Sequence, residues 1–251
     1  MLDHDWDAIA RQTAHRPWPP PARPWIIAQT WRDLLFAHWP VAPGVLRPLV
    51  PAGLAIDTYE GSAWVGVVPF HLRRIAPRGA PEWLALAFPE LNLRTYVTAG
   101  GKPGVWFFSL DAASLLAVIG ARATFHLPYY WARMRIGDEE EWIAFASRRR
   151  HPGGSRARFI ARYRPTGPVF QAAPGSLEDW LTARYCLYAA NRAGRLYRGE
   201  INHAPWPLQD AALEVRVNTL AAAHGIALTG APLLHFARQL DMVTWGPERI
   251  G

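Results

Sequence analysis

The stretch PELNLRTYV, residues 89–97, decides the fold class, because polar and apolar side chains alternate along it. In a β-strand, successive side chains point to opposite faces. The polar face would carry Glu90, Asn92, Arg94 and Tyr96, and the apolar face would carry Leu91, Leu93, Thr95 and Val97. The apolar face predicts packing against a core. The polar face fits either a solvent-facing strand or the polar interior of a closed sheet, and the pattern leaves both open.

Glu90 and Arg94 share the polar face but stand about 13 Å apart along the strand, at roughly 3.3 Å per residue. They therefore cannot pair with each other within the strand. Each ionised side chain needs a partner from another strand or from a bound ligand, which makes both of them candidate site residues.

Strand-like runs dominate the rest of the chain, and turn sequences rich in glycine and proline separate them. The runs predicted as strands are 62–70, 91–97, 104–110, 141–147, 157–163, 195–203, 213–217 and 233–245. Many strands with few helices predict an α+β, mainly antiparallel fold. A closed β-barrel or curved sheets would suit this pattern, because closure removes unpaired strand edges.

Helical stretches are also predicted, where apolar residues and capping residues coincide. The predicted helices are 31–39, 111–125 and 176–194. Asp111 is the predicted N-terminal cap of the second helix, since its carboxylate can accept the first free amides. Ser176 is the predicted cap of the third helix, with Asp179 three residues later, and Gly194 is its predicted end.

The chain of 251 residues shows no linker and no internal repeat. We therefore expect an irregular arm over residues 1–24 and a single domain over residues 25–251. No run approaches the roughly 20 apolar residues of a membrane helix, and the start lacks a hydrophobic secretory segment. These features predict a cytoplasmic protein without membrane contact. The single cysteine, Cys186, is expected to be a small buried residue.

The net charge of +7 comes almost entirely from arginine, because Lys102 is the only lysine. In SRARFIARYRP, residues 155–165, arginines alternate with apolar residues, which predicts a strand with a basic outer face. This Arg-rich β-hairpin is either a solvated surface or a site for nucleic acid or an acidic partner. No recognition helix, zinc spacing or aromatic RNA-binding signature accompanies it, so nucleic acid is not the expected main partner.

Known catalytic motifs are absent from the sequence. The nine histidines show no HxH or HExxH spacing, and no phosphate-binding glycine loop or GxSxG elbow occurs. We therefore expect no metal and no cofactor. The roles of His38, His203 and His235 stay open at this point.

Several longer motifs together resemble the YqjF-like family of bacterial proteins, over about residues 25–245. The motifs are LLFAHWPV, IDTYEGSAWVGVVPF, ELNLRTYV, FFSLDAASLLAVIGAR, LPYYWARM and INHAPWPL. That family in turn resembles acetoacetate decarboxylase, which implies a curved, closed antiparallel β-structure with a few helices and a central cavity.

The second resemblance also implies which residues would face the cavity. The decarboxylase pattern runs Gly-Arg-Glu, four residues, then Pro-Lys-Lys, and its first lysine forms a Schiff base with the keto acid. The matching positions here keep Arg122 and Pro128, but Tyr129 and Tyr130 stand where the two lysines would be. Glu90 resembles a cavity carboxylate of that family.

A phenol oxygen cannot form an imine, and Lys102 lies in GGKPG, which predicts an exposed turn. We therefore expect a cavity that binds a small organic acid, phenol or carbonyl compound without Schiff-base chemistry. Tyr129 and Glu90 are the candidate acid/base residues. The candidate ligand-binding residues are Asn92, Arg94, Tyr96, Arg122 and Tyr130. Whether a reaction follows binding stays open, as do self-association and a purely structural role for the fold.

Overall fold

The computed structural model describes residues 5–251 and contains thirteen strands and four short helices. The strands are β1 Ile27–Val41, β2 Ala55–Ile56, β3 Ala63–Pro77, β4 Leu86–Ala99, β5 Lys102–Ala112, β6 Tyr129–Glu139, β7 Trp142–Arg149, β8 Arg158–Pro165, β9 Cys186–Ala190, β10 Leu196–His203, β11 Leu208–Asn218, β12 Leu233–Thr244 and β13 Glu248–Ile250. The helices are α1 Trp6–Arg11, α2 Pro43–Leu46, α3 Leu115–Thr124 and α4 Leu177–Thr182. Not one described helix has the length and apolar character that crossing a lipid bilayer requires.

The strands form a single sheet in the order β13-β10-β9-β5-β6-β7-β8-β11-β12-β1-β3-β4-β2. Additional pairings join β4 to β5 and β10 to β12, which are distant in that order, so the sheet curves back on itself. Strand β5 pairs in parallel with β6 and β9, and the other strand pairings within residues 5–251 are antiparallel. The prediction of a mainly antiparallel α+β fold with curved sheets is confirmed.

Strand β4 separates the main core from an interior space. Its apolar face places Leu91, Leu93 and Val97 in the largest buried cluster of the described residues. Its polar face is equally buried, since every residue from 90 to 97 is shielded from solvent. The polar face of this strand therefore lies inside the molecule.

The eight stretches predicted as strands all form strands. The stretch 31–39, predicted as a helix, is wrong: it lies within β1. Six consecutive residues of β1, 34–39, are buried, because β3 and β12 flank the strand and both of its faces are covered. Burial on both faces removes the alternation that marks a half-exposed strand.

The other two predicted helices are shorter than expected. Asp111 is not a cap: it lies in β5, and Ser114 caps α3 by accepting a hydrogen bond from the Ala117 amide. Ser176 does cap α4, as predicted, but that helix ends at Thr182 and the following segment forms β9. Gly194 lies in the turn after β9, with a positive φ of 74°.

The N-terminal arm is largely irregular apart from α1, and its first four residues lie outside the described part of the chain. Arg16 of the arm is buried, and its Nη2 lies 2.9 Å from a carboxylate oxygen of Glu200. Both side chains are at most 1 % exposed. The Trp18 indole also donates to Glu200, at 2.7 Å. The arm is thus fastened to β10 by buried polar contacts.

A second buried ion pair joins the ends of β5 and β7. The Arg149 guanidinium lies 2.7 Å from the Asp111 carboxylate, and both side chains are at most 1 % exposed. Arg149 is therefore an interior residue and does not contribute to the basic surface of the protein.

The Asp111→Asn substitution should lower the free energy of unfolding by about 3–5 kcal/mol, because it leaves the Arg149 charge buried without its partner. Urea unfolding would measure the loss. The matched control is Glu214→Gln, which breaks an exposed pair with Arg162 and should cost at most about 1 kcal/mol. Equal losses in the two variants would contradict the role assigned to the buried pair.

Candidate functional site

A cavity of about 320 Å³ lies against the polar face of β4. Strands β1, β3, β5 and β12 and helix α3 contribute to its wall. Most of the wall is apolar, and its large side chains include Leu34, Val68, Phe70, Phe88, Phe107, Phe125, Leu127 and Trp206. The polar side chains of β4 that reach it are Glu90, Asn92 and Arg94. The even spacing of these three along one strand face follows from the period of two seen in the sequence.

Glu90 and Tyr129 meet in this cavity. Glu90 is 4 % exposed, and the Tyr129 hydroxyl donates to its carboxylate oxygens at 3.1 and 3.2 Å. Burial raises the pKa of Glu90 from 4.5 to about 8, although hydrogen bonds from Tyr129 and Asn92 oppose the shift and the Asp111 charge adds to it. Burial and the Glu90 charge also raise the pKa of Tyr129 well above its ordinary value.

These shifts define what the pair can do chemically. With a pKa of about 8, Glu90 is mostly protonated at neutral pH, so it can donate a hydrogen bond or a proton to a bound molecule. Tyr129 stays a neutral phenol and cannot serve as a base. Of the two residues that the sequence suggested for acid/base work, Glu90 therefore has the suitable pKa.

Arg94 lies further along β4, in a basic part of the cavity wall. Arg94 is 8 % exposed, and its Nη2 lies 3.4 Å from the Tyr96 hydroxyl. Its Nε has no hydrogen-bond partner among residues 5–251, and no carboxylate of that part of the chain forms an ion pair with it. The guanidinium packs over the Phe36 ring at 5.2 Å. Arg94 is thus a buried cation without a counter-ion in the described protein.

Arg184 accompanies Arg94, and the sequence analysis missed it. Its guanidinium and that of Arg94 lie 4.8 and 5.7 Å from the centre of the Tyr96 ring. Unlike Arg94, Arg184 is neutralised, because its Nη1 lies 2.6 Å from the Asp57 carboxylate. The predicted helix 176–194 hid this residue, but an arginine inside the apolar run ARYCLYAA was a usable signal.

Tyr96 and Asn92 complete the polar side of β4. The Tyr96 hydroxyl lies 2.7 Å from Nε2 of His38, and both residues are fully buried. Burial and the neighbouring Arg94 and His235 lower the pKa of His38 well below its ordinary value, so the ring is neutral. Asn92 is 6 % exposed, and its Oδ1 has no hydrogen-bond partner within the described chain. Tyr96 supports Arg94 and does not itself line the cavity.

Arg122 and Tyr130, two residues expected to line the cavity, do not do so. Arg122 is exposed on α3, and its Nη1 donates to the backbone oxygen of Tyr129 at 2.7 Å. Tyr130 points away from Tyr129 because adjacent residues on a strand face opposite sides. Its ring lies 4.0 Å from the Arg149 guanidinium, so it packs on the buried ion pair.

His203, His235 and Cys186 are buried. His203 lines the cavity, and burial lowers its pKa to about 4, so it is neutral at physiological pH. His235 packs against Phe170 at 6.0 Å outside the cavity wall. Cys186 lines the cavity, and burial raises its pKa to about 12, which confirms a packing thiol.

Lys102 is not in a freely exposed turn, contrary to expectation. It is the first residue of β5, its side chain is 27 % exposed, and its Nζ lies 2.9 Å from a carboxylate oxygen of Glu200 on β10. The ammonium also lies 5.3 Å from the centre of the Trp18 ring. This residue does not belong to the cavity wall.

Comparison with solved structures shows the fold. The enzyme MppR of enduracididine biosynthesis, complexed with pyruvate, superposes with a TM-score of 0.66 at 13% identity, covering 94% of this chain and 92% of MppR. Acetoacetate decarboxylase from Legionella pneumophila superposes with a TM-score of 0.60 at 13% identity, covering 100% of this chain and 98% of the decarboxylase. The predicted acetoacetate-decarboxylase-like fold is therefore confirmed.

Sequence comparison shows the family. The uncharacterized protein YqjF of Bacillus subtilis (strain 168) is 50% identical over 223 residues, which are 88% of this chain and 91% of YqjF. The model of the DUF2071 family, described as an uncharacterized conserved protein, matches residues 28–241. The chain therefore belongs to the DUF2071 family, whose YqjF-like members its motifs resemble.

Proposed function

We propose that this protein binds a small organic acid in the cavity and that Arg94 holds the anionic group of the ligand. The observation that carries the proposal is the buried Arg94 guanidinium, which has no counter-ion among the described residues. Buried charges are costly unless they are paired. A ligand carboxylate would supply the missing partner and could form two parallel hydrogen bonds with the guanidinium.

The rest of the cavity suits the body of such a ligand. Apolar walls would bury its hydrocarbon part, and a cavity of about 320 Å³ is in the range of small-molecule sites. Glu90 and Tyr129 form a second polar point about 13 Å along β4 from Arg94. A carbonyl or hydroxyl oxygen of the ligand could accept a hydrogen bond there from the protonated Glu90.

A fold analogy agrees with this ligand class. MppR has been solved with pyruvate, a small carboxylate, and its overall fold is similar. Since the identity is only 13%, this analogy supports the class of ligand and not its identity. We also propose that this protein acts in the cytoplasm.

We further propose that any chemistry in this cavity proceeds without a Schiff base. Imine formation needs an unprotonated primary amine beside the substrate carbonyl. Tyrosines occupy the positions that resemble the decarboxylase lysines, and the Lys102 amine contacts Glu200 and Trp18. Glu90 is the cavity group best suited to transfer a proton.

Arg94→Gln should weaken the binding of carboxylic acids by about 10- to 100-fold, the loss expected for a charge-assisted hydrogen bond. A thermal-shift screen of aromatic and aliphatic acids, each paired with its primary amide, would find ligands, and calorimetry would measure their affinity. Arg122→Gln is the matched control, because this exposed arginine lies outside the cavity. Unchanged acid affinity in Arg94→Gln, or equal binding of acids and amides, would reject the anion site.

Glu90→Gln should raise the free energy of unfolding at pH 7 by roughly 2–4 kcal/mol. The folded protein retains the Glu90 proton up to a pKa of about 8, whereas its ordinary pKa is 4.5. Between these values the folded state binds more protons than the unfolded state, so stability falls as the pH rises and levels off above about pH 8.

Urea unfolding from about pH 5 to about pH 9 would test this linkage. The Glu90→Gln variant should lose the part of the slope that Glu90 causes. Glu140→Gln, which changes an exposed carboxylate in the β6–β7 turn, should keep the slope of the parent protein. Parallel pH profiles for the parent and Glu90→Gln would show that Glu90 ionises normally.

Borohydride reduction in the presence of pyruvate or acetoacetate should add no mass at Lys102, because this amine lies outside the cavity. Intact-mass measurement followed by peptide mapping would detect an adduct, and acetoacetate decarboxylase serves as the positive control. A reduced adduct on Lys102 would overturn the proposal of Schiff-base-free chemistry.

A further inference from the structure

The outer face of β6, β7 and β8 carries a row of three arginines. Arg133 stands directly opposite Arg148 in the antiparallel pairing of β6 with β7. Arg148 stands directly opposite Arg158 in the pairing of β7 with β8. All three residues are exposed. Neighbouring strands lie about 4.8 Å apart, so this arginine row places three positive charges side by side.

The arginine row has no acidic partner within residues 5–251. Further along the same sheet face, charges are balanced: Arg162 lies 2.8 Å from Glu214. Arg162 aligns with Ala144, which aligns with Gly137, four residues beyond Arg133 on β6. That separation is about 13 Å, and the Debye length at physiological ionic strength is about 8 Å. The Glu214 carboxylate therefore does little to offset the positive charge of the arginine row.

Like charges directly opposite each other destabilise a sheet, so the isolated chain gains nothing from this arrangement. Guanidinium groups bind phosphate through paired hydrogen bonds. A row of three on a sheet face could thus contact successive phosphates of a polyanion, and each contact would offset the mutual repulsion of the arginines.

An aromatic residue lies next to the arginine row. Trp131 precedes Arg133 by two residues on the same face of β6, and it is 37 % exposed. The Arg150 amide donates to the Trp131 backbone oxygen at 2.9 Å, which brings another exposed arginine beside the ring. Proteins that bind single-stranded nucleic acid combine exposed aromatic rings, on which bases stack, with cationic side chains that contact the phosphates.

We propose that the arginine row and Trp131 form a binding surface for single-stranded nucleic acid. The surface is separate from the cavity, since none of these residues contributes to the cavity wall. Within residues 5–251 no helix stands on this sheet face that could enter a duplex groove, which favours a single strand. The exposed ring favours nucleic acid over an acidic polypeptide, because stacked bases would cover it.

Fluorescence anisotropy with a labelled oligothymidylate of about 20 nucleotides would test the proposal over a salt series from about 50 to about 300 mM. The triple variant Arg133→Gln, Arg148→Gln, Arg158→Gln should bind at least about tenfold more weakly at the low-salt end. The slope of log affinity against log salt concentration should become less negative by about 2, since each lost phosphate contact on a single strand contributes roughly 0.7 to the slope.

Matched variants distinguish this surface from general basicity. The triple variant Arg192→Gln, Arg195→Gln, Arg249→Gln removes the same charge from exposed positions on the β9–β10 turn and β13, and it should bind like the parent protein. Trp131→Ala should weaken binding without changing the salt slope, because it removes stacking and no charge. Its thermal midpoint should match that of the parent, which shows that the fold is intact.

Several outcomes would overturn the proposal. These are equal losses in the two triple variants, equal affinity for a duplex or for polyglutamate of the same charge, and unchanged binding in Trp131→Ala. The triple variant of the arginine row should be at least as stable to heat as the parent, because it relieves repulsion. A lower thermal midpoint would show that the row is structural and would also reject the proposal.

Discussion

The polar face of β4 is enclosed, and the features of the cavity follow from that constraint. A strand that carries Glu90, Asn92 and Arg94 on one face would ordinarily leave that face in water. Here the sheet curves back on itself, and helix α3 and residues of β1 and β12 contribute to the wall of the cavity that this face lines. Removal from water keeps Glu90 protonated and makes it costly for the Arg94 guanidinium to stay without a counter-ion. Both effects come from desolvation acting on opposite charges.

The sequence predicted this strand well because its alternation is local. The period of two assigns each residue from 89 to 97 to one face of the strand, and the structure shows the same assignment. The pattern could not say whether the polar face met water or a cavity, because that depends on helix α3 and on strands β10 and β12, which lie later in the chain and contribute to the cavity wall. Similarly, the segment 31–39 reads as a helix until its two faces are known to pack into two separate apolar clusters.

The structure places some of the predicted site residues at the cavity and others away from it, for related reasons. Tyr129 reaches Glu90, whereas its neighbour Tyr130 faces the other side and packs on Arg149. Arg122 matches the decarboxylase pattern, but it lies on the exposed side of α3. Arg184 lines the cavity, but the predicted helix 176–194 was too long and concealed it. Strand and helix ends therefore limited the site prediction more than the choice of residue types did.

The arm makes buried contacts with the sheet from outside the region matched by the family model. The family match begins at residue 28, yet Arg16 and Trp18 supply two of the donors that surround the buried Glu200. In a recombinant fragment trimmed to the matched region, Glu200 would lose the Arg16 and Trp18 donors and would keep its contacts with Lys102 and Arg198. Expression trials on relatives of this protein should therefore retain the segment upstream of the first strand.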